Sequence, residues 1–110
     1  MIVRRILENL TRNAVEAVEP SGGRVALAVA RTASGVRFEV RDTGPGMTRE
    51  EMDRAFEPFH STKPVGTGLG LPIVRRLVMD LGGTLKVESA PGKGTTFVIE
   101  LPAAEGEAQG

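Results

Sequence analysis

The order in which the hydrophobic spacing changes along the chain is the strongest constraint on its fold. Residues 3–18 carry apolar side chains at helical spacing, and two alternating segments follow, RVALAVA and VRFEVRD. A second helical stripe at residues 71–81 precedes a second alternating pair, TLKVES and GTTFVIEL. Helix and hairpin therefore occur twice, and a loop rich in Pro, Gly, Ser and Thr separates them at residues 57–68. The simplest solution is a two-layer α+β sandwich, with helices on one face of a largely antiparallel sheet and each hairpin burying one face.

Local signals predict where these elements begin and end. Thr48 and Glu51 form a Thr-x-x-Glu capping box, which predicts a short helix after DTGPG. The pair Gly82–Gly83 ends the last helix. A chain of 110 residues is long enough for one domain, which we place at residues 1–102. Residues 103–110 have too little apolar surface to fold and are predicted to be a disordered tail.

The composition excludes several classes of function. Fourteen basic and 14 acidic side chains cancel, and Trp and Tyr are absent, so a nucleic-acid surface is not expected. The absence of cysteine excludes disulfides and thiolate metal sites and fits a reducing compartment. Because no apolar run is long enough to span a bilayer, we expect a cytoplasmic domain without membrane contact.

Two asparagines border the apolar stripe of the first helix. With Asn13 at zero and 100° per residue, the stripe extends from about 20° to about 140°, and Asn9 lies near −40° (about one turn away). Carboxamides at such a boundary need partners. They either bond loop backbone or use a carbonyl oxygen to bind a hard cation such as Mg²⁺. Glu8 falls on the far side of the helix and is predicted to be solvated.

The segment RDTGPG places Asp42 where a strand ends, followed closely by Gly44 and Gly46. One interpretation is an Asx-type turn, in which the carboxylate bonds its own backbone. The other is that Asp42 accepts a hydrogen bond from an amino group of a buried heterocycle, while the glycines let the ligand approach the backbone.

The segment GTGLGL ends the loop and opens the second long helix, whose free N–H groups suit an anion. Gly66, Gly68 and Gly70 either allow a phosphate to approach closely or form a hinge without a ligand. Lys63 either neutralises that phosphate or is a solvated surface lysine. Phe56 and Phe59 are predicted to anchor the loop to the core.

In order and spacing, these motifs resemble the catalytic ATP-binding domain of two-component sensor histidine kinases, within the gyrase, Hsp90, histidine kinase and MutL superfamily. NLTRNAVEA resembles the N box of that family, DTGPG its G1 box, FEPF its F box and GTGLGL its G2 box. GTTF resembles its last nucleotide-contacting motif. The match covers residues 2–102 and is closest in style to nitrogen-regulator-type kinases. The resemblance implies a Bergerat-type fold with a mixed, mostly antiparallel sheet.

The resemblance also implies a role for each matching residue. Asn13 would bind the Mg²⁺ that bridges the ATP phosphates, with Asn9 assisting. Asp42 would hold the adenine amino group, and Thr95 would contact the base side. The implied reaction is transfer of the γ-phosphoryl group of ATP to a histidine, with catalysis by positioning and charge neutralisation. The remaining implied contacts are Gly44 and Gly46 around adenine, and Lys63, Gly66, Thr67, Gly68, Leu69 and Gly70 around the phosphates.

Position 9 distinguishes branches of this superfamily. Its ATP-hydrolysing members typically carry a glutamate there that acts as a base for water, whereas Asn9 cannot accept a proton. This disfavours hydrolysis and favours transfer to a protein acceptor. Two alternatives remain open: a non-catalytic ATP-binding or protein-interaction module, and a superfamily ATPase or serine kinase.

The sequence departs from the family pattern in three places, one of which is Glu16, three residues past Asn13, where many kinases carry a basic residue. The family's substrate histidine belongs to a separate dimerisation domain, and His60 in the loop is no substitute for it. The resemblance therefore implies a histidine-bearing partner domain, on the same or another chain, and a response regulator downstream, and it leaves open whether the parent protein is membrane-anchored. The chain also begins inside the first helix of the usual domain, so an N-terminal edge strand is expected to be missing.

Overall fold

Three helices and four strands form two layers in a computed structural model, which describes residues 2–20, 22–56 and 70–102. The predicted loop at 57–68 and the predicted tail at 103–110 lie outside the described residues. None of the described helices is long and apolar enough to cross a membrane. In chain order the elements are α1 (Ile2–Val18), β1 (Val25–Thr32), β2 (Gly35–Asp42), α2 (Arg49–Ala55), α3 (Gly70–Asp80), β3 (Thr84–Ser89) and β4 (Thr95–Pro102).

The four described strands form one sheet in the order β1-β2-β4-β3. Both predicted hairpins are present, β1 with β2 and β3 with β4, and β2 joins the hairpins by pairing with β4. The two-layer α+β prediction is confirmed. The sheet differs in one respect from the implied mixed sheet, since all three pairings among the described strands are antiparallel.

The core lies between the helices and the two central strands, as the predicted stripes require. Helix α1 packs against α3 and against β2. Phe56 is half-buried against the same cluster, in agreement with its predicted role as an anchor. The buried core residues are Ile6, Leu10 and Ala14 of α1, Val74 and Val78 of α3, and Val40, Phe97 and Ile99 of the sheet.

The helix ends follow the predicted signals. The Thr48 hydroxyl accepts the N–H of Glu51 at 3.1 Å, and the Glu51 carboxylate accepts the N–H of Thr48 at 2.8 Å. At the other end of the chain, Gly82 takes φ +74° after α3, and the N–H of Gly83 donates to the carbonyl of Val78 at 2.9 Å. This is a Schellman ending, which uses glycine because L side chains rarely adopt that backbone conformation.

Strand β1 is exposed on both faces from Ala26 to Arg31, and only Val25 at its start packs against the core, so the expectation that this hairpin buries one face is wrong for most of β1. Leu27 and Val29 lie opposite Val40 and Phe38 and therefore share the helix side of the sheet. They are nevertheless 57% and 66% exposed. Helix α1 lies mainly over β2, and the helix layer does not extend across β1. Alternation of residue type identifies the apolar face of a strand but not whether another element covers it.

Two leucine-to-alanine substitutions, one at a buried and one at an exposed position, compare how much each side chain contributes to stability. Leu10→Ala removes a side chain that is 0% exposed and should lower the free energy of unfolding by about 2–5 kcal/mol. Leu27→Ala removes the same atoms from an exposed position and should cost under about 1 kcal/mol. Urea denaturation of both variants measures the two values. A cost at Leu27 equal to that at Leu10 would mean that β1 is covered in solution.

Candidate functional site

A row of polar side chains crosses the helix side of the sheet at one end. Asp42 of β2 pairs with Thr95 of β4, and Thr95 pairs with Ser89 of β3. Residues directly opposed in antiparallel strands share a face, so all three side chains lie on the side of the helices. The next pair along the same face is apolar, Val40 with Phe97. The apolar face of the sheet therefore ends in a row of polar residues, Asp42, Thr95 and Ser89, which we call the polar row. It lies where β2 ends and residues 43–48, here called the 43–48 loop, begin.

Asp42 uses its two carboxylate oxygens differently. The residue is buried, with 5% of its surface exposed, and its Oδ1 accepts the N–H of Gly44 at 2.8 Å. This is the Asx-type turn that the sequence offered as one interpretation. Within the described part of the chain, Oδ2 has no hydrogen-bond donor. Because an ionised carboxylate accepts through both oxygens, the turn leaves one oxygen available to a ligand, and the two interpretations are compatible.

Packing within the chain explains why two positions of the 43–48 loop are glycine. A side chain at Gly44 would lie 2.9 Å from the Cβ of Ala17, at the end of α1. Gly46 has φ +73°, and a Cβ there would overlap the carbonyl oxygen of Ala90. In addition, the N–H of Gly92 donates to the carbonyl of Pro45 at 2.7 Å. The 43–48 loop is thus packed between α1 and the loop at residues 90–94, the 90–94 loop. Approach of a ligand to Gly44 and Gly46 stays a prediction.

Two glycines of the 90–94 loop provide a matched test of this packing. Gly92 and Gly94 have nearly the same φ, +77° and +74°, but only a Cβ at Gly94 would overlap a neighbour, the carbonyl oxygen of Asp42. Gly92→Ala should therefore cost only the left-handed backbone strain, about 1–2 kcal/mol. Gly94→Ala should cost roughly 4 kcal/mol or more, because the end of β2 must move. Chemical denaturation measures both; equal costs would show that the 90–94 loop does not hold Asp42.

Asn13 and Asn9 border the buried stripe of α1 as predicted, but their side chains differ in bonding. Nδ2 of Asn9 donates to the carbonyl of Arg5 at 3.0 Å, within the helix itself. Nδ2 of Asn13 is buried and has no hydrogen-bond partner among the described residues. Asn13 lies one turn before Ala17 on the same face of α1, and Ala17 is next to Gly44. An unpartnered amide therefore lies on the helix face directed towards the Asp42 end of the sheet.

Glu8 is exposed and pairs with Arg4 at 3.2 Å, which confirms that it is solvated. Within the described ranges, no group of three or more His, Cys, Asp or Glu side chains could hold a metal ion. A cation near Asn13 would thus depend on that carboxamide, on water and on oxygens of a bound ligand. This donor set fits Mg²⁺, which usually keeps several waters and binds substrate phosphates.

The remaining predicted site residues fall on the part of the chain that follows α2. Gly70 is the first residue of α3, so the predicted glycine-rich segment does lead into a helix start. The other predicted phosphate contacts, Lys63, Gly66, Thr67, Gly68 and Leu69, lie outside the described residues. One groove of about 400 Å³ lined by described residues lies elsewhere, between α3 and β3, with Phe56 and Met79 on its wall. Asp42, Thr95 and Asn13 do not line it.

Sequence reasoning missed Ser89, although a signal for it exists. Along β3 the residues in the apolar phase are Leu85, Val87 and then Ser89, so the polar residue occupies a position where an apolar one would continue the pattern. Asp42 follows Val40 in β2 in the same way. A polar residue in the apolar phase, repeated at the same end of neighbouring strands, indicates a polar site at that end of the sheet.

Comparison with known proteins shows the family and the fold. Residues 1–105 match the family model described as Histidine kinase-, DNA gyrase B-, and HSP90-like ATPase. Sporulation kinase C of Bacillus subtilis (strain 168) is 43% identical over 100 residues, which are 91% of this chain and 23% of that protein. Sensor histidine kinase ZraS of Klebsiella oxytoca is 45% identical over 101 residues, 91% of this chain and 22% of that protein.

Two solved structures share the fold. Full-length ShkA in complex with AMPPNP superimposes with a TM-score of 0.80 at 42% identity, covering 92% of this chain and 21% of ShkA. The nucleotide-free catalytic domain of histidine kinase ThkA also gives a TM-score of 0.80, at 34% identity over 92% of this chain and 66% of that domain.

The chain therefore belongs to the family of histidine kinase-, DNA gyrase B- and HSP90-like ATPases, and its fold is that of histidine kinase catalytic domains. It spans between a fifth and a quarter of the length of these curated relatives.

Proposed function

We propose that this chain is the ATP-binding catalytic domain of a sensor histidine kinase. In this proposal it transfers the γ-phosphoryl group of Mg-ATP to a histidine on a dimerisation domain, as part of two-component signal transduction. The observation that carries the proposal is the polar row at the end of the sheet, where the buried Asp42 keeps one carboxylate oxygen unbonded within the described residues. Nδ2 of Asn13, which has no partner among the described residues, lies one helical turn before Ala17, the neighbour of Gly44.

The base of the nucleotide would bind at the polar row. Oδ2 of Asp42 accepts a hydrogen bond from the amino group of adenine, while Oδ1 stays bonded to Gly44 at 2.8 Å. Thr95 is directly opposite Asp42 and 7% exposed, so it contacts the same side of the base. Gly44 and Gly46 form the backbone wall of this pocket, and their packing against α1 and the 90–94 loop keeps that wall in place.

The phosphates would bind between α1 and the start of α3. A buried amide without a partner is costly, and a phosphate oxygen would satisfy Nδ2 of Asn13. Rotation of the carboxamide exchanges nitrogen and oxygen, so the same side chain can instead offer its oxygen to Mg²⁺. Bound Mg²⁺ neutralises charge on the phosphates during phosphoryl transfer. Lys63, Gly66, Thr67, Gly68, Leu69 and Gly70 complete the phosphate site in this proposal, and Asn9 assists Asn13 from the preceding turn.

In this proposal the domain contributes to catalysis by positioning the γ-phosphoryl group and the acceptor histidine. Asn9 donates to the helix backbone and has no group that takes a proton from water, so transfer to a protein acceptor is favoured over hydrolysis. The acceptor is a histidine on a partner domain, which the chain orients towards the γ-phosphoryl group, and a response regulator receives the phosphoryl group afterwards. We place the domain in the cytoplasm, where ATP is available, without contact with a membrane or nucleic acid.

The test mixes the 110-residue chain with a separately purified histidine-bearing dimerisation domain and γ-labelled ATP. We expect acid-labile, base-stable label on the acceptor domain. ATP binding without transfer would instead identify a non-catalytic binding module. Steady phosphate release without any acceptor, lost in Glu8→Gln, would identify an ATPase. Either of these two outcomes would contradict the kinase assignment.

A further inference from the structure

Ser89 lies at the far end of the polar row and makes three hydrogen bonds with its hydroxyl group. Its Oγ lies 2.8 Å from the backbone nitrogen of Met47, 2.9 Å from the carbonyl oxygen of Gly94 and 2.9 Å from Oγ1 of Thr95. These partners belong to the 43–48 loop, the 90–94 loop and β4. One half-buried hydroxyl therefore joins three of the segments that surround the Asp42 end of the sheet.

The directions of these bonds follow from the chemistry of the partners. A serine hydroxyl donates one hydrogen and accepts two. The N–H of Met47 can only donate and the carbonyl of Gly94 can only accept, so Ser89 accepts from Met47 and donates to Gly94. Its single hydrogen is then used. The contact with Thr95 is a hydrogen bond only if Thr95 donates, and Ser89 accepts its second hydrogen bond there.

This direction determines what Thr95 offers to a ligand. With its hydrogen directed at Ser89, the Thr95 hydroxyl presents only lone pairs to the rest of the site. Asp42, directly opposite, also presents an acceptor through Oδ2. The polar row then contains acceptors on both strands, which suits a base that carries an amino group. A base with a carbonyl oxygen at the same place would meet two acceptors without a hydrogen between them.

We propose that Ser89 is a positioning residue that determines base selectivity. It orients the Thr95 hydroxyl as an acceptor, and it holds the 43–48 loop through the N–H of Met47. Through both contacts, Ser89 favours adenine over a base whose amino group is replaced by a carbonyl, such as hypoxanthine. The inference rests on the proposed function, because it assumes that a nucleotide base binds at the polar row.

The test compares the affinities of the 110-residue chain for ADP and inosine diphosphate by calorimetry. In Ser89→Ala the Thr95 hydroxyl is released and can donate to the hypoxanthine carbonyl, so we expect the preference for ADP to fall about tenfold. Ser89→Thr keeps the hydroxyl and should retain the preference of the parent to within about twofold. Glu88→Ala changes an exposed neighbour on the opposite face of β3 and should leave the preference unchanged.

Loss of affinity for both nucleotides by the same factor in Ser89→Ala would overturn the inference, since it would mean that Ser89 only supports the fold. If Ser89→Ala does not fold, hydrogen exchange of the Met47 amide in the parent chain tests the Ser89 contact on which the inference depends. We expect that amide to be protected although it lies outside the helices and strands, and exchange at the rate of an exposed loop amide would overturn the inference. No ADP binding by the parent would instead mean that the proposed function fails, and the inference with it.

Discussion

Asn13→Ala should abolish Mg²⁺-dependent nucleotide binding, with a loss of affinity on the order of 100-fold or more, because it removes the side chain proposed to meet the metal and the phosphates. Stability should change little. The variant also removes a buried amide that has no partner among the described residues, and alanine is the best helix former. Calorimetric titration with ADP and Mg²⁺ measures the first effect, and urea denaturation measures the second.

Controls on the same helix separate this effect from a general disturbance of α1. Glu8→Ala changes an exposed residue whose one ion pair within the described residues is with Arg4, and this variant should bind ADP as the parent does. Asn9→Ala removes a side chain already bonded to the Arg5 carbonyl and should give a smaller loss than Asn13→Ala. Nucleotide affinity and phosphoryl transfer at the level of the parent in Asn13→Ala would remove this residue from the metal site.

Asp42→Asn should weaken ADP binding by about 10- to 100-fold, the range expected for losing a hydrogen bond to a charged group. The asparagine can keep the bond from Gly44 by placing its oxygen where Oδ1 lies now. Its NH₂ group then takes the place of Oδ2 and opposes the amino group of adenine, donor against donor. The fold should be retained for the same reason. Calorimetry measures the affinity, and thermal unfolding measures the stability.

A matched aspartate is available at Asp80, near the end of α3. It is 57% exposed at its side chain and lies 3.7 Å from Arg76. Asp80→Asn makes the same chemical change on the surface and should leave ADP affinity within about twofold of the parent, as is usual for substitutions away from a site. If Asp42→Asn bound ADP as well as Asp80→Asn does, the base pocket would not be at Asp42.

Most of the fold could be predicted from the sequence because its signals are local. Two apolar stripes, one containing Leu10 and the other Val74, predict helices α1 and α3. The capping box at Thr48 and the glycine at Gly82 predict helix ends. The burial of β1 could not be predicted in this way. Leu27 alternates correctly with its neighbours, but coverage of a strand depends on where the helix layer ends, which is a property of the whole assembly.

The sequence also predicts residues of the candidate site, and their roles stay predictions. Asp42 and Thr95 were identified from motifs, and the sheet register then brought them opposite each other. The sequence could not predict that only one oxygen of Asp42 is used by the Asx-type turn, because it presents the turn and ligand binding as alternatives. Ser89 was missed because its partners are a loop amide and a hairpin carbonyl far away in sequence, which no motif encodes.

The central claim is that a nucleotide binds between the polar row and α1, and residue-resolved NMR tests it most directly. Titration of the 110-residue chain with AMPPNP and Mg²⁺ should shift the amide signals of Asn13, Gly44 and Thr95 in a saturable manner. The signals of Leu27 and Val29 on the exposed strand β1 should not move. Absence of saturable shifts, or shifts confined to the groove between α3 and β3, would contradict the claim.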